Sequence, residues 1–289
     1  MYARRTQPPP LTLLLGIAAV SLFILVLVRP GQEARTLVSR WQPEPMLTRP
    51  EATAAPNSQP PTISGVTVPL DMFDISVGDG LYTDQRDALH AEVAAAMAYV
   101  VERFGAPPSS RFTTTFVRDD SCGLHGIAYT DVRDVQVFTC EGISRDRAVN
   151  IMAHEIVHQL EQDRYGARHL SSDLILSEGM ATYGAGKYWL GGQPSFQAFV
   201  RAQRAAGVHF PLATHYAGLG IAAMNALYYE WASFVEFLIK VYGRERFDQL
   251  YVTGSNAPGS ADYAGTYGKS LADLEREWIT WVDSGESAR

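Results

Sequence analysis

The residues best able to do chemistry in this chain are the five from His154 to His158, which read His-Glu-Ile-Val-His. Side chains four apart on a helix share one face, with Cβ atoms about 5–6 Å from each other. Two imidazoles so placed can each direct a nitrogen at one Zn²⁺ at about 2.0–2.1 Å. Glu155 sits about 100° further round the helix, where its carboxylate can address a water on that ion without being a ligand. Tetrahedral zinc still lacks a third protein donor, and a catalytic site must keep a fourth position for solvent. Glu178 supplies the donor. It lies 20 residues after His158, in Leu176-Ser177-Glu178-Gly179-Met180-Ala181-Thr182-Tyr183 at the start of the next predicted helix.

The elements that must position these groups can be read from pattern. Val149, Met152, Ile156 and Leu160 recur at helical spacing after Ser144, a helix N-cap, and Gly166 is the stop. Gly166 and the polar run Arg168 to Asp173 provide the reversal that lets Glu178 face the histidines. Upstream, the pattern predicts a strand at Met72 to Val77, then a helix capped by Thr83 and running to Phe104. Arg111 to Val117, Gly126 to Thr130 and Val135 to Thr139 read as strands, the last two joined by a turn at Asp131 to Asp134, one of them a sheet edge. Beyond Gly166 helices are predicted at Leu174 to Trp189, Gly220 to Tyr242, Arg244 to Tyr251 and Ser270 to Val282, with Ser270 and Asp273 as a capping box. The expected architecture is α+β: an N-terminal mixed β-sheet lobe with a helix, the active-site helix, then a C-terminal helical lobe, with the chemistry at the join.

HEIVH followed by SEGMATY resembles the gluzincin clan of zinc peptidases, in particular the bacterial peptidase MA-like metallohydrolases. Leu227 to Leu238 (LYYEWASFVEFL), followed by Tyr242-Gly243, is similar to the helix those proteins carry after the third ligand. Ser270 to Trp281 (SLADLEREWITW) is similar to their closing helix. The resemblance spans roughly residues 112 to 282. It implies a zincin-like fold, zinc held by His154, His158 and Glu178, and peptide-bond hydrolysis with Glu155 as general base. It also implies an edge strand near the active-site helix that pairs with an extended peptide. In related gluzincins a Tyr or His on a later helix stabilises the developing oxyanion. By position that group is Tyr228, with Tyr229 as the neighbour that could displace it and plain packing among Trp231, Phe234 and Phe237 as the competing reading. Two departures stand out. Ser177 replaces the Asn that thermolysin and aminopeptidase-like members carry before the third ligand, and Thr182 replaces the thermolysin Asp that orients a histidine. The groups that orient the imidazoles must therefore differ here.

Among the other histidines, His209 and His215 are weaker candidates in a loop, and His90, His125 and His169 are expected to have no metal role. The cysteines, Cys122 and Cys140, fit a disulfide across a hairpin in an oxidising compartment; two unrelated buried thiols are the alternative.

The 289-residue chain is 46% hydrophobic, as an ordered globular protein is. From Leu70 onward, 18 basic face 28 acidic side chains, a net −10 that repels nucleic acid and excludes it as a partner. Leu11 to Val28 is an 18-residue run without a charge, flanked by Arg4, Arg5 and Arg29. That length suits an uncleaved membrane anchor better than a signal peptide, which is the alternative. Residues 1–29 are thus read as a transmembrane signal anchor, 30–69 as a Pro-rich disordered spacer and 70–285 as the metallohydrolase domain, outside the cytoplasm on the bacterial cell envelope. The function expected is a tethered zinc metallopeptidase acting on proteins or peptides. Its rivals are a tethered binding or assembly protein that keeps the zincin scaffold without activity, and a hydrolase of a non-peptide amide. Glu155, which is not needed to hold zinc, favours catalysis.

Overall fold

Alternation along short apolar runs builds the sheet. The computed structural model describes residues 72–285, so the apolar run Leu11 to Val28 and the spacer after it lie outside the described residues. Strands β1 (Phe73–Val77), β2 (Phe112–Arg118), β3 (His125–Tyr129) and β4 (Asp134–Thr139) form one four-stranded sheet in the order β1-β2-β4-β3. β1, β2 and β4 run parallel, and β3 is an antiparallel edge with Gly126 opposite Val137 and Ala128 opposite Val135. Phe112, Thr114 and Phe116 of β2 and Val135, Val137 and Thr139 of β4 are the buried, alternate residues that meet the helices.

Neighbouring parallel strands need a crossover, and helix α1 (Arg86–Phe104) supplies it between β1 and β2. Its buried Leu89, Val93, Met97, Val100 and Phe104 recur three and four apart. Cys122 and Cys140 are disulfide-bonded, closing the open end of the β3–β4 hairpin opposite its turn. Helix α2 (Arg145–Tyr165) packs against β3, β4 and α1 through Val149, Met152, Ile156 and Leu160.

After a 3-10 turn at Gly166–Ser171, the second half is helical: α3 (Leu174–Ala185), α4 (Phe196–Ala205), α5 (Ile221–Phe237) continued by a π turn (Leu238–Tyr242), α6 (Arg244–Tyr251), α7 (Tyr263–Tyr267) and α8 (Leu271–Ser284). The mixed α+β class matches expectation, and among the described residues no helix is long and apolar enough to cross a membrane.

Two local expectations need correction. Thr83 does not cap α1: Tyr82 adopts a left-handed conformation (φ 50°), Thr83–Gln85 wind as a 3-10 turn, and the α-helix starts at Arg86. The helix predicted to reach Trp189 stops at Ala185 because Gly186 turns left-handed (φ 50°) and a 3-10 turn follows. Helix α4 was not anticipated, although Ser195 caps it by accepting from the Ala198 N–H at 3.1 Å. At the C-terminal end the Ser270/Asp273 capping box forms as read.

The entry to α3 is fixed by one buried carboxylate. Asp173 caps the helix by accepting from Ile175 N–H (2.9 Å), and also accepts from Gly259 N–H (3.1 Å), Ala261 N–H (3.0 Å) and the Tyr263 hydroxyl (2.9 Å). It therefore ties the segment before α7 to the helix that carries Glu178. Replacing Asp173 with Ala removes the cap and leaves three further donors unmatched, so urea unfolding should show a loss of about 3 kcal/mol. A change within about 0.5 kcal/mol would show that solvent or neighbouring groups replace those bonds.

Candidate metal centre

His154 and His158 lie one turn apart on α2 and turn the same way, with ring centroids 5.0 Å apart. The 3-10 turn folds α3 back against α2, so Glu178 reaches both rings. Its Oε2 is 3.2 Å from His154 Nε2 and 3.7 Å from His158 Nε2. Two donors about 2.0–2.1 Å from a shared tetrahedral ion sit about 3.4 Å from each other, and the observed separations straddle that value. All three ligand atoms lie within 4.8 Å of one another, and the group can hold a metal ion. Two imidazole nitrogens and a carboxylate oxygen, with one corner left over, suit zinc.

Close helix packing makes this convergence possible. A Cβ on Gly179 would stand 2.8 Å from the Trp231 carbonyl oxygen and 2.8 Å from Val235 Cγ2, so glycine beside Glu178 is what lets α3 lie directly on α5. From α5, Tyr228 lays its ring parallel to His154 at 6.0 Å, and Trp189 covers the same imidazole at 5.2 Å. The Trp189 indole is held by donating to the Asn150 carbonyl at 2.9 Å.

Electrostatics sort the carboxylates. Burial alone would raise the Glu178 pKa, but the His154 and His158 imidazoles more than offset it and hold the group ionised, well below the usual carboxylate range. Burial dominates at Glu155 and raises its pKa, with the charges of the two histidines opposing. At His158 burial acts to lower the pKa, yet hydrogen bonds to Glu161 and Glu178 raise it well above that of an ordinary imidazole. The Tyr228 phenol is pushed well up by burial, then by the charge of Glu178 and its neighbours, so it stays protonated and able to donate.

Of the residues singled out in the sequence, His154, His158, Glu155, Glu178 and Tyr228 gather here. Tyr229 does not: it points into the core, stacked on Phe199 at 4.0 Å. His209 bonds Glu230 (3.0 Å), His215 accepts from Ala217 N–H (2.9 Å), and His125 stacks on Phe138 at 4.5 Å. The departures from the gluzincin pattern are also visible. Thr182 Oγ1 stands 3.3 Å from His154 Nδ1, while Glu161 Oε2 is 2.7 Å from His158 Nδ1.

Sequence reasoning missed Glu161, Tyr216 and Gly126. Glu161 follows His158 by one helical turn and was readable from spacing. Tyr216 comes from the loop before α5, pinned when the Trp231 indole donates to the Leu212 carbonyl at 2.9 Å. It meets Tyr228 edge-on at 5.9 Å, and burial together with the Glu178 charge pushes its phenol up to about 12. Gly126 of β3 lies against Glu155: an added Cβ would be 2.4 Å from Glu155 Cγ and 2.6 Å from its Oε1.

No known family model matches the sequence, and no curated protein matches it. Among solved structures, an M1 zinc metallopeptidase from Deinococcus radiodurans is similar, with a TM-score of 0.44 and 20% identity over 81% of this chain and 52% of that one. The chain thus spans about half the length of that enzyme.

Two outcomes follow from the geometry. Gly126→Ala should displace the Glu155 carboxylate while leaving the metal-binding groups in place. Any hydrolytic activity should then fall by about 100-fold, the scale of a misplacement of about 1 Å, with metal content unchanged; full activity would mean that Glu155 is not positioned by β3. Metal affinity should rise with pH, since His158 holds its proton to a higher pH than a free histidine and the ion must displace it. Calorimetry near about pH 7 in buffers of different ionisation enthalpy should record proton release on zinc binding; no release would contradict the raised His158 pKa.

Proposed function

We propose that this chain is a zinc-dependent metallopeptidase of the gluzincin type, with His154, His158 and Glu178 as ligands and Glu155 as general base. The observation that carries this reading is the placement of Glu178, whose Oε2 lies 3.2 and 3.7 Å from the Nε2 atoms of the two histidines while Glu155 stays out of the ligand set. When bound, zinc lowers the pKa of water toward about 7 and polarises a carbonyl.

The chain's own groups do the rest. Glu155, made more basic by burial, takes a proton from the attacking water and returns it to the leaving amine. Tyr228, kept protonated, donates a hydrogen bond to the oxyanion that develops on the substrate carbonyl. The exposed side of β3, with Gly126 against Glu155, offers backbone groups to an extended peptide, which would carry its scissile bond past the base. The Cys122–Cys140 disulfide braces that hairpin and accords with an oxidising compartment. Together with the apolar run Leu11 to Val28, it supports a catalytic domain tethered outside the cytoplasm, with proteins or peptides near the membrane as substrates.

Glu155→Gln tests the core of this reading. The wild type, loaded with zinc, should cleave a library of unfolded proteins, and the variant should hold the same zinc yet lose cleavage by at least about 1,000-fold, while Tyr228→Phe should lose about 100- to 1,000-fold in kcat with little change in KM. Equal cleavage by wild type and Glu155→Gln, or none by either, would favour a scaffold that binds without hydrolysing.

A further inference from the structure

A second group of potential ligands joins the first at His158. His158, Glu161 and His169 place donor atoms within 4.8 Å of one another. The separation of its first two members decides what it is. Glu161 Oε2 and His158 Nδ1 are 2.7 Å apart, a charge-assisted hydrogen bond, whereas two donors sharing one ion lie about 3.4 Å apart. The Glu161 side chain is 0% exposed, and its polar contacts are the bond from His158, the Tyr251 hydroxyl and, at 3.7 Å from Oε2, His169 Nδ1; the bond from His158 is shorter than the His169 contact. The Tyr251 hydroxyl lies against the same carboxylate and bonds His169 Nδ1 at 2.8 Å. Burial lowers the His169 pKa to about 3, so that ring stays neutral.

We infer that Glu161 is a positioning residue for the metal centre: its carboxylate accepts the Nδ1–H of His158, fixes that ring's orientation, and leaves Nε2, on the Glu178 side, as the nitrogen that gives up its proton to an incoming ion. This rests on the zinc-binding reading above and extends it. The imidazoles are oriented unequally, since among the described residues His154 Nδ1 meets the Thr182 hydroxyl, at 3.3 Å, and no carboxylate. A hydroxyl can accept from or donate to that nitrogen, whereas an ionised carboxylate can only accept, so it specifies one tautomer at His158. His158 should thus be the better-held nitrogen ligand, with a carboxylate at its Nδ1 where His154 has only the Thr182 hydroxyl among the described residues.

The test compares the full-length wild type with Glu161→Gln and Glu161→Leu. Three readouts are taken: the zinc dissociation constant by chelator competition, the visible spectrum of the cobalt-substituted protein, and the His158 ring nitrogens by long-range ¹H–¹⁵N NMR of metal-free protein titrated to a pH at which His158 has become neutral. Wild type should bind one zinc and show the Nδ1–H tautomer. Glu161→Leu should weaken zinc about 10–100-fold and alter the cobalt bands, with Glu161→Gln between the two. Should the Leu variant fail to fold, the near-isosteric Gln variant carries the test, its folding checked by near-ultraviolet circular dichroism. Zinc affinity within about 2-fold of wild type in the folded variants, with the cobalt spectrum and the tautomer unchanged, would overturn the inference. So would a second zinc in wild type that Glu161→Leu removes, which would make the cluster a cation site. A wild type that binds no zinc at all would instead overturn the proposed function.

Discussion

Three donors, one buried and two largely shielded from solvent, that point at a common centre form an arrangement that proteins do not keep without cause. A carboxylate among two imidazoles is stable away from water only if positive charge joins it, whether carried by a proton on a ring or by a metal ion. In this chain His154, His158 and Glu178 meet under that constraint, and it reaches outward through the structure. The depressed pKa of Glu178 and the raised pKa of His158 describe one event from its two sides, the His158 proton holding a cation's place beside the acid. A divalent ion would meet the same requirement with three directed bonds in place of one shared proton.

The demand on backbone placement is just as strict. The histidines need only a helix, because four residues on a helix bring side chains to one face. Glu178 needs two helices at a fixed angle and depth. The structure secures this with Gly179 against the Trp231 carbonyl on one side of α3 and with Asp173 at its start, where four donors converge on a single carboxylate. The aromatic cover then becomes intelligible. Trp189 and Tyr228 flank His154 and exclude solvent from the ring, and Tyr228 reaches this place because α5 is held close to α3. Glu155 faces the opposite situation, buried with fewer compensating contacts, and its pKa moves up rather than down. Two carboxylates on neighbouring helices thereby acquire proton affinities shifted in opposite directions.

How much of this could be read from the sequence depended on the distance over which each feature is set. The His154–His158 face was legible because its period is local, and Glu178 because the reversal between the helices is short. Tyr228 and Tyr229 could not be told apart by position alone. One residue turns the side chain by about 100°, and only the packing of Phe199 shows that Tyr229 takes the core side. The start of α1 was misplaced because Thr83 has the chemistry of a cap, while the left-handed Tyr82 before it sets up a 3-10 turn. Helix α4 carried readable signals in Ser195, Phe196 and Val200, but its short apolar face lies in a glycine- and proline-rich stretch that reads as loop. Tyr216 had no local signature: it arrives on a loop whose anchor, the Trp231 indole, belongs to another element.

The edge of the sheet shows how far the site's requirement extends. An unpaired strand edge invites wrong pairing, and proteins commonly shorten, charge or cover it. Here β3 is five residues long and closed at its open end by the Cys122–Cys140 bridge, so the edge is limited and braced but left uncovered by any other strand among the described residues. Gly126 lies in that strand where a side chain would collide with Glu155. Glycine weakens a strand by adding backbone freedom and removing a packing surface, so its presence at an edge needs a local reason, and the approach of the Glu155 carboxylate supplies one. The strand gives up some of its own stability so that the Glu155 carboxylate can lie against its backbone at Gly126. The open edge and the glycine coincide at Glu155, so the hairpin and the helix that carries His154 and His158 meet at that one carboxylate.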